Sequence, residues 1–365
     1  MKETNSLAKS GLIDHIFIAG FGEANSQQIQ PIDDKRTMHC LLIKDRVGKV
    51  NILIKILNIL LFGLRVIKLA RNKNIKIVNV HSIGLLPFGV LIKWLCGAKL
   101  IYDAHELETE TLHKTGLVKL IAKVMERVLI QFVDLTIVVS DGINEWYQQK
   151  YNLMNIVTVM NCPPYHKLQK TNLLREELKI PNKKRIVLYQ GGLFPGRGIE
   201  SLLQAFTAHD DKKHVLVFMG FGELEDLVTT HAKNHSNIYF QTAATPDNVL
   251  KYTSSADIGI HLIPNTCLNH ELCLPNKFFE YIMVGLPVII NDLPEMGRVL
   301  NEKNIGATIK EGAKTNIYQK LNEISSKDQD ALFKDLANTA EKYCWENQEK
   351  IMIEAYKKHI IHSEV

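Results

Sequence analysis

Two doubly wound α/β domains, Rossmann-like in pattern, are what this sequence predicts, and three observations predict them. Short apolar runs alternate with helical patterns along nearly all of the 365 residues, as in parallel sheets covered by helices on both faces. The series is interrupted once, at the Pro-Pro pair of "CPPYHKLQKTN" (162–172), where regular structure stops. The chain is also too long for one ordinary domain and comfortable for two.

Taken in order, "MKETNSLAKSGL" (1–12) has a polar, helical pattern. The strands of the first half are "HIFIAG" (15–20), "HCLLI" (39–43), "IKIVNVH" (75–81), "AKLIYDAH" (98–105), "DLTIVVS" (134–140) and "NIVTVMN" (155–161). The second half begins again with "RIVLYQ" (185–190). It continues through "HVLVFMG" (214–220), "NIYFQT" (237–242), "DIGIHLI" (257–263), "LPVIIN" (286–291) and "GATIK" (306–310). The C-terminal part is helical throughout, with a bend near Trp345. Domains are expected at 1–165 and 166–345, followed by a C-terminal helix at 346–365. In such folds ligands sit at the carboxyl ends of the strands.

A hydrophobic content of 46% and a charged content of 23% are those of a soluble globular protein. The polar opening residues give no secretory signal. The six cysteines are scattered without a CxxC pair, which suggests reduced thiols in a cytoplasm. No Cys/His cluster has metal-ligand spacing, so no metal site is expected. Asp328-Gln329-Asp330 is formally a DxD, but it opens a helix and follows no strand, so it is expected to cap that helix.

The net charge of +5 is uneven: residues 1–160 hold 20 basic against 14 acidic residues, and the remainder 24 against 25. Within 44–76 nine basic residues face one acid, Asp45. Asn51, Lys55, Asn58 and Arg65 form a narrow polar stripe in an apolar helical pattern too interrupted to span a membrane. A helix buried on most sides fits this pattern. So does a basic helix resting on an anionic membrane surface. The stretch has one aromatic, Phe62, and no nucleic-acid motif, which argues against nucleic acid as a partner.

Two stretches carry the chemistry. In "YQGGLFPGRGIESLL" (189–203) a strand ends in Gly191, Gly192, Gly196 and Gly198, with Arg197 among them, before a helix begins. Glycines let backbone approach a ligand, the first N–H groups of the helix attract anions, and a guanidinium fits phosphate. A tight turn with a surface arginine would have the same sequence. In "NHELCLPNKFFEYIMVGLPVIIND" (269–292) Pro275 stops what precedes and Asn276 is placed to cap a helix starting at Lys277. A cation in a first helical turn opposes the helix dipole, so Lys277 is expected to meet an anion. Glu280, one turn on among aromatic and aliphatic neighbours, needs hydrogen-bond donors, which two adjacent sugar hydroxyls would supply.

These two motifs, in this order, resemble the C-terminal domain of the GT-B retaining glycosyltransferases of family 4 (glycosyl transferases group 1). The resemblance covers that domain almost entirely and the first one in part. It implies a GT-B architecture of two Rossmann-like domains facing across a cleft, with the C-terminal helix crossing back to the first. The second domain would bind a nucleotide-sugar donor, UDP- or GDP-linked, as substrate, with no separate cofactor or metal. Arg197 and Lys277 would neutralise the diphosphate and Glu280 would hold the ribose. Gly191, Gly192, Leu274, Pro275 and Asn276 would approach the donor with backbone, and Gly222 and Thr242 would lie near the base. His105 of "LIYDAHELETE" would be a pocket histidine, with His81 as a second candidate. For either, a histidine satisfied by neighbouring backbone fits equally.

The implied activity is metal-independent, retaining transfer of a sugar to a glycan or lipid-linked acceptor in surface-polysaccharide synthesis. The basic first half fits peripheral contact with the cytoplasmic membrane face. The sequence departs from the family pattern in two places. Leu272 stands eight residues before Glu280, where the family usually has an acid, and Glu271 is one place off. No glycine-rich loop with its own opening strand precedes "HIFIAG". The missing opening strand makes a non-catalytic GT-B partner subunit one alternative; a nucleotide-sugar epimerase of the same architecture is another, against which the motif Pro275-Asn276-Lys277 argues.

Overall fold

The computed structural model describes residues 2–22, 29–42, 52–112, 114–167, 169–209, 212–310 and 317–362. Residues 43–51, which include Asn51 of the polar stripe and the start of the basic stretch, lie outside the described residues. Contacts divide the chain into two compact units, residues 1–159 with 349–365, and residues 160–348.

The first unit opens with α1 (Lys2–Ser10), then β1 (Ile16–Gly22), β2 (Ile29–Asp33) and β3 (Arg36–Leu42). These strands form a separate sheet of order β1-β3-β2, with β1 parallel and β2 antiparallel to β3. The expected single parallel sheet is thus divided into two, and β2 adds an antiparallel strand to the first. After α2 (Ile52–Asn72), the units β4 (Ile77–Val80), α3 (Leu86–Cys96), β5 (Lys99–Ala104), α4 (Gly116–Leu129), β6 (Leu135–Val138), α5 (Asp141–Tyr151) and β7 (Ile156–Thr158) alternate. The four strands lie side by side in chain order, all parallel. Local signals bound these elements: Gly97 ends α3 in the left-handed region, and the Ser140 hydroxyl accepts from the Ile143 N–H to start α5.

The second unit follows α6 (Leu173–Glu177) with β8 (Arg185–Gly192), α7 (Ile199–Ala208), β9 (His214–Phe221), α8 (Glu225–Asn234), β10 (Ile238–Thr242) and α9 (Val249–Thr253). Then come β11 (Ile258–His261), α10 (Leu268–Glu271), α11 (Asn276–Met283), β12 (Val288–Asn291), α12 (Pro294–Glu302) and β13 (Gly306–Ile309). Helices α13 (Ile317–Ser325), α14 (Gln329–Lys342) and α15 (Trp345–Tyr356) close the chain. Asp328 caps α14 through the N–H groups of Asp330 and Ala331, so the DxD is a helix cap. The helical run is interrupted between α14 and α15, beside Trp345.

The six parallel strands of this unit run in the order β10-β9-β8-β11-β12-β13. Chain order therefore runs outward in one direction from β8 and in the other from β11. The loops leaving these two neighbouring strands diverge, and a crevice opens at their carboxyl ends. Both sequence motifs leave the sheet there. The strands are largely apolar, with Val187, Leu188, Leu216, Val217, Ile258 and Ile260 fully enclosed.

Candidate functional site

Strand β8 delivers Gly191 and Gly192 to the crevice. Gly191 has φ +116°, a conformation that side chains resist, and a Cβ there would lie 2.9 Å from Lys277 Nζ. A bare backbone is therefore what lets the ammonium reach the strand end. Gly198, at φ +73°, precedes α7 without any side-chain cap and packs directly on the Leu262 carbonyl. The first N–H groups of α7 are thus left without a side-chain acceptor.

Lys277 lies in the first turn of α11, half-buried, with Nζ 4.6 Å from the centre of the Tyr189 ring. Burial pushes its ammonium down to about 7, and the nearby charge of Arg197 adds to the effect. Arg197 is exposed. Neither cation forms an ion pair with a carboxylate among the described residues. Lys277 thus feels the charge of Arg197 more strongly than that of Glu280, which lines the same cavity.

At the other side of the crevice stands Glu280. The Gln190 side-chain amide donates to Glu280 Oε2 at 2.5 Å, and the Gln190 oxygen accepts from the Thr253 hydroxyl at 2.6 Å. The Gln190 backbone N–H donates to the Tyr281 hydroxyl at 2.9 Å. Gln190 is only 2% exposed, so this chain holds the carboxylate beside the cavity. The cavity between Lys277 and Glu280 has a volume of about 190 Å³. Met219, Phe221, Ala243, Ala244 and Val249 form its apolar wall.

The residues named from sequence divide accordingly. Gly191, Gly192, Lys277 and Glu280 line this cavity together. Gly222 and Thr242 do not line it, whereas their neighbours Phe221 and Ala243 do. Leu274 is buried in the hydrophobic core. Pro275, not Asn276, is the residue before α11, and Asn276 is exposed with no capping bond. The expected asparagine cap is therefore absent, and Lys277 sits one position further into the helix.

Sequence reasoning missed Gln190 and His261. Both are polar residues inside otherwise apolar strands, which is the signal that could have found them. His261 ends β11 fully buried, and neither ring nitrogen has a hydrogen-bond partner among the described residues. Burial, then the charges of Lys277 and Arg197, hold its pKa well below the usual imidazole range, so it is neutral.

His105 belongs to the first unit, where it has an unforeseen setting. His81 follows β4, while Asp103 lies in β5 and His105 just beyond it. Asp103 Oδ2 lies 3.2 Å from His81 Nδ1 and 3.6 Å from His105 Nε2, and the two ring nitrogens are 3.0 Å apart. Burial works to raise the Asp103 pKa, but the His81 hydrogen bond and both histidines outweigh it and hold the carboxyl low. Burial likewise opposes charge on His81, and Asp103 more than reverses it, leaving His81 raised. Glu3 of α1 is pushed up to about 7 by burial and then by the Asp103 charge. Glu3, His81 and His105 thus surround one buried carboxylate.

The donor atoms of His81, Asp103 and His105 all lie within 4.8 Å of one another, close enough for one cation. The expectation of no metal grouping rested on spacing along the chain. It could not register a cluster assembled from two adjacent strand ends.

Residues 170–343 match the family model of the glycosyl transferases group 1. No curated protein sequence matches the chain. Among solved structures, the chain is similar to sucrose-phosphate synthase from Thermosynechococcus elongatus. The TM-score is 0.81 at 15% identity, over 99% of this chain and 92% of that one. It is similar to HepE from Anabaena in complex with UDP-glucose, with a TM-score of 0.67 at 14% identity over 88% and 85% of the two chains. It is also similar to a TarM variant from S. aureus in complex with UDP and other ligands. There the TM-score is 0.59 at 14% identity, over 77% and 55% of the two chains. The fold is GT-B: two Rossmann-like α/β units, of which the second carries the family match.

Proposed function

We propose that the chain is a glycosyltransferase whose second unit binds a nucleoside-diphosphate sugar in the β8–β11 crevice. One observation carries the reading: a lysine ammonium is brought against bare backbone at Gly191, with its charge disfavoured until an anion arrives. A diphosphate would take its charge compensation from Lys277, Arg197 and the first N–H groups of α7. Glu280, held by Gln190, would accept from the two ribose hydroxyls. The base would lie against the apolar wall around Phe221 and Ala244. The volume of the cavity suits a nucleoside portion, with the diphosphate reaching out toward Arg197.

In this reading, bond breaking at the anomeric carbon leaves charge on the diphosphate. The two cations and the helix N–H groups meet that charge in the transition state, and the transfer runs without a metal. His105 would contact the transferred sugar or the acceptor. The acceptor would be a glycan or a lipid-linked precursor, and the anomeric configuration would be retained.

The test is a calorimetric titration with UDP, GDP and ADP of the intact chain, Lys277→Ala and Glu280→Gln. One nucleotide should bind, weakly or not at all to either variant. No binding of any of the three to the intact chain would sink the reading. Binding without hydrolysis or transfer of any donor sugar would favour a non-catalytic partner subunit instead.

A further inference from the structure

Helix α4 is inside out. Its one acid, Glu126, is fully buried and accepts from the hydroxyls of Tyr147 and Tyr151, each at 2.7 Å, and from Thr109. Lys119 and Lys123 reach sideways to Glu110 at 3.0 and 2.8 Å. The apolar residues Leu117, Val118, Leu120, Ile121, Val124 and Val128 all stay exposed, Leu117 at 70%. An amphipathic helix that packs its polar side inward gains nothing from this in water.

The neighbouring helices continue the face. α3 packs beside α4 and α2 beside α3, where Gly63 lies against the Phe88 ring. α3 exposes Trp94, at 60%, and Leu95. α2 exposes Leu57, Leu60, Leu61 and Leu64 along one stripe at helical spacing. A contiguous apolar surface of this kind is far more than a monomer in water ordinarily shows. Among the described residues no helix is long and apolar enough to cross a membrane.

Charge selects the occupant. The sequences of α2, α3 and α4 contain no acid except the buried Glu126, while Arg65, Lys68 and Arg71 of α2 and Arg127 of α4 are exposed beside the apolar residues. A second copy docking by a two-fold axis would set one basic rim against the other. An anionic lipid surface takes both components at once: its acyl boundary receives the leucines and valines, its headgroups the basic residues, and Trp94 suits the interface between.

We infer that the α2–α3–α4 face of the first unit docks on an anionic membrane and lies in its surface plane. This does not rest on the donor reading, since none of these residues belongs to the second unit.

The experiment is sedimentation of the full chain with vesicles of phosphatidylcholine alone, or of equal parts phosphatidylcholine and phosphatidylglycerol. The intact chain should pellet with the mixed vesicles and much less with the neutral ones. Leu117→Ser/Leu120→Ser/Val124→Ser should lower the partition coefficient by about tenfold or more, and Lys68→Glu/Arg127→Glu should remove the preference for the anionic vesicles. Melting curves and UDP affinity, measured on the same samples, should be unchanged in both variants, which separates loss of docking from loss of fold or of donor binding. An intact chain that stays in the supernatant with both vesicles overturns the inference. So does a concentration-dependent dimer, seen without vesicles and abolished by the serine variant, when vesicle partition is unchanged.

Discussion

The two units of this chain put their unusual groups in opposite places. Of the large apolar residues left exposed among the described residues, 21 lie in the first unit and 4 in the second. The second unit encloses its apolar strands and gathers uncompensated charge, Lys277 and Arg197, in a crevice at strand ends. The first unit buries acids, Asp103 and Glu126, and turns an apolar face outward. The difference teaches that a cost in isolation points to a missing partner, and that the sign of the cost tells its kind. Unsatisfied cations ask for an anion, and unsatisfied apolar surface asks for a medium poorer in water.

The largest effect expected concerns the inverted helix. Glu126→Ala removes the acceptor of three buried or half-buried hydroxyls and should destabilise the protein by about 2–4 kcal/mol, measured by denaturant unfolding. A change below the error of the measurement would break the claim that α4 is held by its polar side.

Next is the charge of the crevice. Lys277→Ala should weaken binding of the cognate nucleotide by about 100-fold. By the same argument Lys277→Met should raise the melting temperature of the free protein at pH 6, because it removes a half-buried charge. Lost affinity without added stability would mean that the ammonium is not strained in the empty site.

The pH dependence sharpens this. With its pKa near 7 in the free protein, Lys277 is protonated below that pH and must take up a proton to meet a diphosphate above it. Affinity should therefore fall above pH 7, by up to about tenfold per pH unit, with proton uptake measurable in buffers of different ionisation enthalpy. Nucleotide phosphates titrate near about pH 6, below this fall, so they do not produce it. A flat profile up to pH 9 would remove the strained lysine from the argument. Gly191→Ala should cost about tenfold in nucleotide affinity, because its Cβ displaces Lys277 Nζ and opposes φ +116°. The smallest effect belongs to the outward side of α4: Val128→Thr should change stability by about 0.5 kcal/mol or less.

Much of this was legible in the sequence. Each apolar run named as a strand has its counterpart, because alternation and the turn residues that bound it are local signals. Lys277 stood out because a cation at a helix start is locally unfavourable, and that reading needed no knowledge of Gly191. The hairpin of β2 on β3 was not legible, since Ile29–Asp33 has one weak alternation and a proline. Nor was Gln190, whose role exists only because Thr253 and Glu280 approach it from 63 and 90 residues away.

What the sequence by itself determined is therefore the order of the elements, the glycine loop after β8 and the lysine at the head of α11. Periodicity and local backbone preference act within a few residues. Only the tertiary structure decided that Gly191 and Lys277 share one crevice, and that His81, Asp103 and His105 share one cluster. These are set by which strands lie side by side, and strand order is a property of the whole sheet. The same holds for α4. Its heptad-like pattern specifies an apolar side and a polar side, but a helix can be rolled either way. Glu126, caught by three hydroxyls from α5 and the segment before α4, fixed the roll and sent the apolar side out.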